Sequence, residues 1–145
     1  MSSRAQRDDV AEFGMSLSFT HLGTGSRGNA TLIESGDTKI LIDQGFSGKQ
    51  LETRLARMEI KPNEIDAIVI THHHGDHGGG AAVTERRWGM PIYCNDRTAA
   101  ALNLDLRNVR LFENLEALNF ADDFALLPVP VPHSCLLYTS DAADD

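Results

Sequence analysis

The chain lacks long apolar runs, has little cysteine and is short of positive charge, and each shortage removes a class of protein. No apolar stretch approaches the roughly 18 residues that cross a bilayer as a helix. Met1 to Gly14 is charged throughout, without the apolar core of a signal peptide, so the expected compartment is the cytoplasm and no membrane is expected as a partner. The two cysteines, Cys94 and Cys135, cannot make a disulfide framework and are too far apart in sequence for a CxxC metal or redox pair. Cys94 reads as a buried free thiol. Thirteen Lys and Arg against 21 Asp and Glu give a formal net charge of −8. That argues against binding of nucleic acid through a broad basic face, but not against a nuclease whose grip is local and metal-centred. What remains is 145 residues with 41% hydrophobic content, enough for one soluble core.

The two ends differ from the middle. Residues 1–14 are polar and aperiodic, and read as a disordered tail or a mis-assigned start before Met15. Cys135 to Asp145, CLLYTSDAADD, follows the apolar run ALLPVPVPHS with no turn logic. Back-translated with suitable codons it gives, in one frame, the transposon-end adapter of sequencing libraries. On this reading the domain spans residues 15–134. Leaving out Asp141, Asp144 and Asp145 leaves 18 acids against 13 bases and a charge of −5.

Between those ends, three segments alternate as strands do: Ser16 to Leu22, Asn29 to Ser35 and Thr38 to Asp43. Ser35-Gly36-Asp37 makes the last two a hairpin. Leu51, Leu55 and Met58 have the i, i+4, i+7 spacing of an amphipathic helix over Gly48 to Met58, closed by Pro62. Asp66 to Ile70 is a short, nearly all-apolar strand. A helix from Gly79 to Trp88, a strand at PIYC, a short helix around Asp96 to Leu102, and apolar segments near Val109 and Ala125 to Val131 complete the pattern. Strands and helices alternate, which gives a mixed sheet with helices outside it, of class α/β or α+β.

The chemistry lies in His72-His73-His74-Gly75-Asp76-His77, which holds four of the six histidines and follows the apolar strand directly. Alternate side chains of an extended segment share a face, so His72 and His74 converge while His73 points away. Beyond the turn at Gly75, Asp76 and His77 reach a second position. Asp76 near a helix start is favoured by the helix dipole, and Gly78, Gly79 and Gly80 allow close backbone approach. Imidazoles with a carboxylate suit Zn, Mn, Fe or Ni better than Mg or Ca, and the absence of cysteine ligands points to an open, catalytic site rather than a closed structural one. A His-rich run that scavenges metal adventitiously is the bland alternative, and the ordered HxHxDH spacing after a buried strand argues against it.

THHHGDHGGG resembles the HxHxDH signature of the metallo-β-lactamase superfamily, which implies an α+β fold, an αβ/βα sandwich, here its amino-terminal half only. ILIDQG and VPVPHS match the strand-ending aspartate before that signature, Asp43, and the further histidine after it, His133. LGTGSRGNATLIESGDTKILIDQGFSGKQLETRL resembles the opening of the YycJ/WalJ-like branch, associated with 5′ to 3′ DNA exonuclease activity. The resemblance implies that His72, His74 and His133 hold a first metal ion, that Asp76 and His77 contribute to a second and Asp76 also orients the nucleophile, and that Asp43 orients the motif histidines from behind. Two Zn2+ ions are implied, with Mn2+ or Fe2+ as substitutes, and DNA is the implied substrate; the sequence leaves protein partners open. Thioester and lactone hydrolysis on the same fold, and a catalytically incomplete metal-binding fragment, are the alternatives, since the superfamily's later aspartate and final histidine have no counterpart in the chain.

Other motifs carry less. Gly23, Gly25 and Gly28 form GxGxxG after a strand, with Asp43 20 residues past Gly23. A dinucleotide fingerprint needs a helix at its third glycine, yet NATLIES reads as a strand. His21 is structural or solvent-facing. Arg86, Arg87 and Trp88 read as a charged helix end rather than a nucleic-acid contact. The alternate-face argument predicts that, in the completed enzyme, His74→Ala or Asp76→Ala lowers metal content and hydrolysis together, whereas His73→Ala changes neither. Metal analysis beside an activity assay checks it, and equal losses in all three variants would refute it.

Overall fold

The computed structural model describes residues 17–25, 27–72, 74–121 and 124–129, with Asp76 and Leu106 described in backbone only. The amino-terminal tail, His73, the side chain of Asp76, His133, Cys135 and the stretch read as adapter lie outside the described residues.

The alternating segments form β1 (Leu17–Gly23), β2 (Ala30–Ser35) and β3 (Thr38–Ile42), antiparallel neighbours whose second pair turns at Gly36 and Asp37. β4 (Ala67–Val69), β5 (Ile92–Cys94) and β6 (Val109–Leu111) add in parallel, giving one six-stranded sheet in chain order. Parallel neighbours need crossovers, and right-handed crossovers taken in sequential order place their helices on one face. These are α1 (Gly48–Ala56), the single turn α2 (Gly75–Gly78) with α3 (Ala81–Trp88), and α4 (Asp96–Ala101).

Register then aligns the apolar side chains. Leu32 pairs with Leu41, Leu41 with Ile68, Ile68 with Ile92 and Ile92 with Val109, one aliphatic row across five strands. That row joins Leu51 and Leu55 of α1, Ala81 of α3 and Ala99 of α4 in the core. Fully burying each large aliphatic side chain contributes roughly 1.5–3 kcal/mol. Cys94 is part of this core, a free thiol with its pKa pushed up to about 11 by burial, which makes it inert as a ligand or nucleophile at neutral pH.

The helices depart from expectation at their ends. α1 starts on a capping box between Ser47 and Gln50 and stops at Ala56, two residues before Met58. Glu59 takes φ +62° and the N–H of Ile60 returns to Leu55 O, while Pro62 opens a 3-10 turn rather than merely closing the helix. α3 begins at Ala81, not Gly79, because Gly79 and Gly80 join it to α2. Among the described residues no helix is long and apolar enough to cross a membrane.

From Glu113 the described residues form a second compact unit, with β7 (Leu118–Ala121) antiparallel to β8 (Phe124–Leu126) and the rings of Phe120 and Phe124 5.9 Å apart.

The triple glycine has a packing reason. Gly80 N–H donates to Gln44 O at 2.9 Å, and a Cβ at position 80 would stand 1.9 Å from the backbone oxygen of Phe46. Gly80→Ala therefore has to push these backbone segments away from each other, and is expected to lower stability by about 1–3 kcal/mol, read as a shift in the urea unfolding midpoint.

Candidate metal centre

The site forms where β3 and β4 end side by side. Asp43 is the first residue past β3. Its N–H still donates to Val69 O (2.7 Å), continuing the parallel ladder, but its φ is +66°, a left-handed conformation that aspartate tolerates better than most side chains. Its carboxylate, 7% exposed, accepts three donors. The N–H of Thr71 reaches Oδ1 at 2.8 Å, the Thr71 hydroxyl lies 2.9 Å from Oδ1 and 2.8 Å from Oδ2, and His77 Nδ1 stands 2.8 Å from Oδ2.

For neutral rings, these contacts assign one tautomer to each of two imidazoles. Opposite a carboxylate, His77 Nδ1 carries the proton. The single hydroxyl hydrogen of Thr71 goes to Asp43, so toward His72 Nδ1, 2.8 Å away, the same oxygen accepts and His72 Nδ1 donates. Each imidazole is left with Nε2 as its basic nitrogen, the arrangement of histidines that hold metal ions.

The turn α2 brings the rings together. His74 caps it in extended conformation, and the N–H groups of His77 and Gly78 both reach His74 O at 2.9 Å. His77 thereby swings back over His72, with ring centroids 4.6 Å apart, and His72 and His74 lie 6.4 Å apart, nearly parallel. Ligand atoms of Asp43, His72 and His77 fall within 4.8 Å of one another. This set of two oriented imidazoles and a carboxylate fits a borderline divalent cation. Asp43 belongs to the group by distance, and its oxygens also accept hydrogen bonds from Thr71 and His77. His74 is exposed beside the group.

The remaining candidates separate from it. Gly28 leads into β2 rather than a helix, so GxGxxG supplies no pyrophosphate cradle; Gly23 and Gly28 instead press on Phe46, where a Cβ would lie 2.5 and 2.6 Å from ring atoms. Asn29 clips this loop, donating to Gly25 O at 2.8 Å and accepting from Gly25 N–H at 3.0 Å, while its own carbonyl takes Gly45 N–H at 3.1 Å. His21 is exposed and bonded to Thr31 Oγ1 at 2.9 Å. Arg87 stacks on Trp88 at 4.3 Å and reaches Glu52 of α1 at 3.7 Å, the helix-end role. A cavity of about 620 Å³ beside α3 is lined by Glu85, Arg86, Leu104, Arg107 and Asn108 but by no histidine; Arg107 there pairs with Asp105 and Asn108 with Glu85. Reading the sequence missed Thr71, whose signal was a hydroxyl directly before the histidine run, and Gln44, which had none beyond its place next to Asp43.

The chain belongs to the metallo-beta-lactamase superfamily, whose model matches residues 23–140, and that membership implies divalent metal ions. Among curated proteins it is 36% identical over 120 residues to the exodeoxyribonuclease WalJ of Streptococcus pneumoniae, covering 78% of this chain and 44% of WalJ. It is 44% identical over 61 residues to a hydroxyacylglutathione hydrolase of Serratia proteamaculans, covering 41% and 23%. The chain thus spans less than half the length of these relatives. The fold is shared with a subclass B3 metallo-beta-lactamase of Bradyrhizobium japonicum at a TM-score of 0.67 and 21% identity, over 79% of this chain and 49% of that one.

Removing the groups that orient a ligand commonly weakens metal affinity 10- to 100-fold. Asp43→Ala and Thr71→Val are expected to do so in calorimetric Zn2+ titrations, with Thr71→Ser restoring affinity because it keeps the hydroxyl relay.

Proposed function

We propose that the chain is the amino-terminal half of a cytoplasmic metal-dependent hydrolase that cleaves phosphodiester bonds of DNA from an end. The observation that carries this reading is the Asp43–Thr71–His72–His77 network at the carboxyl ends of β3 and β4, with similarity to WalJ over most of the chain giving the substrate class.

His72, His74 and His133 would hold one zinc ion, and Asp76 and His77 would contribute to a second, with Mn2+ or Fe2+ as substitutes. When bound, such ions supply Lewis acidity and lower the pKa of water to about 7. The protein's share is orientation. Asp43 and Thr71 would keep Nε2 of His77 and His72 basic and aimed, and Asp76 would orient the attacking water. With a net charge of −8, DNA would be held by its scissile phosphate at the centre rather than over a basic face. The later aspartate and final histidine of the superfamily would come from a longer chain. The similarity to hydroxyacylglutathione hydrolase supports a second reading, thioester hydrolysis at the same centre.

The test sets the chain, and a version extended in its natural reading frame, with Zn2+ or Mn2+ against end-labelled linear duplex, covalently closed circular DNA and a glutathione thioester. The extended protein is expected to degrade linear DNA and leave circles and thioester intact. Thioester turnover with intact DNA would establish the second reading, and metal uptake without hydrolysis by either version would reduce the protein to a metal-binding domain.

A further inference from the structure

Gln44 is wholly buried, an uncommon place for a carboxamide, whose burial is unfavourable unless its hydrogen bonds are made. They are made. Nε2 donates to Phe46 O at 2.7 Å and to Thr84 Oγ1 at 2.9 Å, and Oε1 accepts from Phe46 N–H at 3.1 Å. Thr84, itself buried, donates onward to Gly80 O at 2.7 Å. The main chain of Gln44 adds two more bonds, its N–H to His77 O at 2.7 Å and its carbonyl from Gly80 N–H at 2.9 Å. Five bonds thus tie one residue to three places: the loop through Phe46, the turn that carries His77, and α3 through Thr84 and its N-cap Gly80.

The residue immediately before it is Asp43. His77 is therefore gripped twice by adjacent residues, at its ring by the Asp43 carboxylate and at its carbonyl by Gln44 N–H. The ring contact alone leaves the turn free to pivot about the imidazole; the second contact fixes the backbone from which the ring extends. The Gln44 side chain holds that second contact in place by bracing its own loop against α3. An apolar residue of similar size would fill the space but leave Phe46 N–H and O without these partners, so packing alone does not account for the carboxamide.

We propose that Gln44 is a positioning residue of the metal centre, a buried brace that sets the separation of Asp43 and His77 and so the geometry of the imidazole ligands. The proposal rests on the metal-centre reading above, and the experiment separates the two. In the 145-residue chain, Zn2+ affinity is measured by calorimetry, and the metal-free histidine tautomers by imidazole nitrogen NMR, for the unaltered protein, Gln44→Leu, and the core variant Ile60→Ala as a control for lost stability. Gln44→Leu is expected to weaken Zn2+ binding at least about tenfold, the scale of lost ligand-orienting contacts, and to shift His77 from the pure Nδ1–H tautomer to a mixture. Ile60→Ala should leave both unchanged. Should Gln44→Leu fail to fold, Thr84→Val, with Thr84→Ser as the rescuing variant, decides on the same two readouts. Unaltered affinity and tautomer in Gln44→Leu, or equal changes in Ile60→Ala, would overturn the positioning role while the metal centre stands. Failure of the unaltered chain to bind Zn2+ would overturn both.

Discussion

A carboxylate taken out of water needs its oxygens filled by donors, and in this chain nearly everything at the site follows from how Asp43 meets that requirement. Its left-handed backbone turns the side chain toward β4 instead of continuing the strand. The donors within reach are Thr71 and His77, the residue directly before the histidine cluster and the last residue in it. Desolvation would make an unpaired carboxylate there prohibitively unfavourable, so the same contacts that satisfy Asp43 also dictate which nitrogen each imidazole protonates. The electrostatic need of one buried acid becomes the orientation of the bases around it.

The sheet makes this possible by ending two parallel strands at one level. The pairs Leu41 with Ile68 and Ile42 with Val69 bring the ends of β3 and β4 to one level, from which the left-handed Asp43 reaches Thr71, and the aliphatic row beneath resists slippage, since a shift by one residue would turn the row away from the helices. The apolar core below and the polar network above are thus coupled through register. The glycines around Phe46 serve the same end by letting loops approach so closely that neither can drift.

Periodicity and spacing are local properties, and what was legible in the sequence was what depends on them. Alternation placed β1 to β3 within a residue at each end, and the ordered histidines after an apolar strand pointed to the centre. Contacts that close across the chain left no such trace. The bond between Thr71 and Asp43 spans 28 residues and that between Gln44 and Thr84 spans 40, and neither residue type announces a partner. The single turn at Gly75–Gly78 was hidden because glycine disfavours helix; backbone bonds to His74 O outweigh that preference here. α1 ended early for a related reason, a left-handed Glu59 that no periodicity marks.

One property of the Asp43 network bears on how the protein comes into being. Its two links close loops of only 28 and 34 residues, and all of its members precede Gly78. Closure entropy grows only slowly with loop length, so closing loops of this size costs little more than closing shorter ones. The hydrogen-bonded network can therefore close as soon as β3 and β4 have paired, so that the orientation of its two imidazoles is set before the sheet gains β5 and β6.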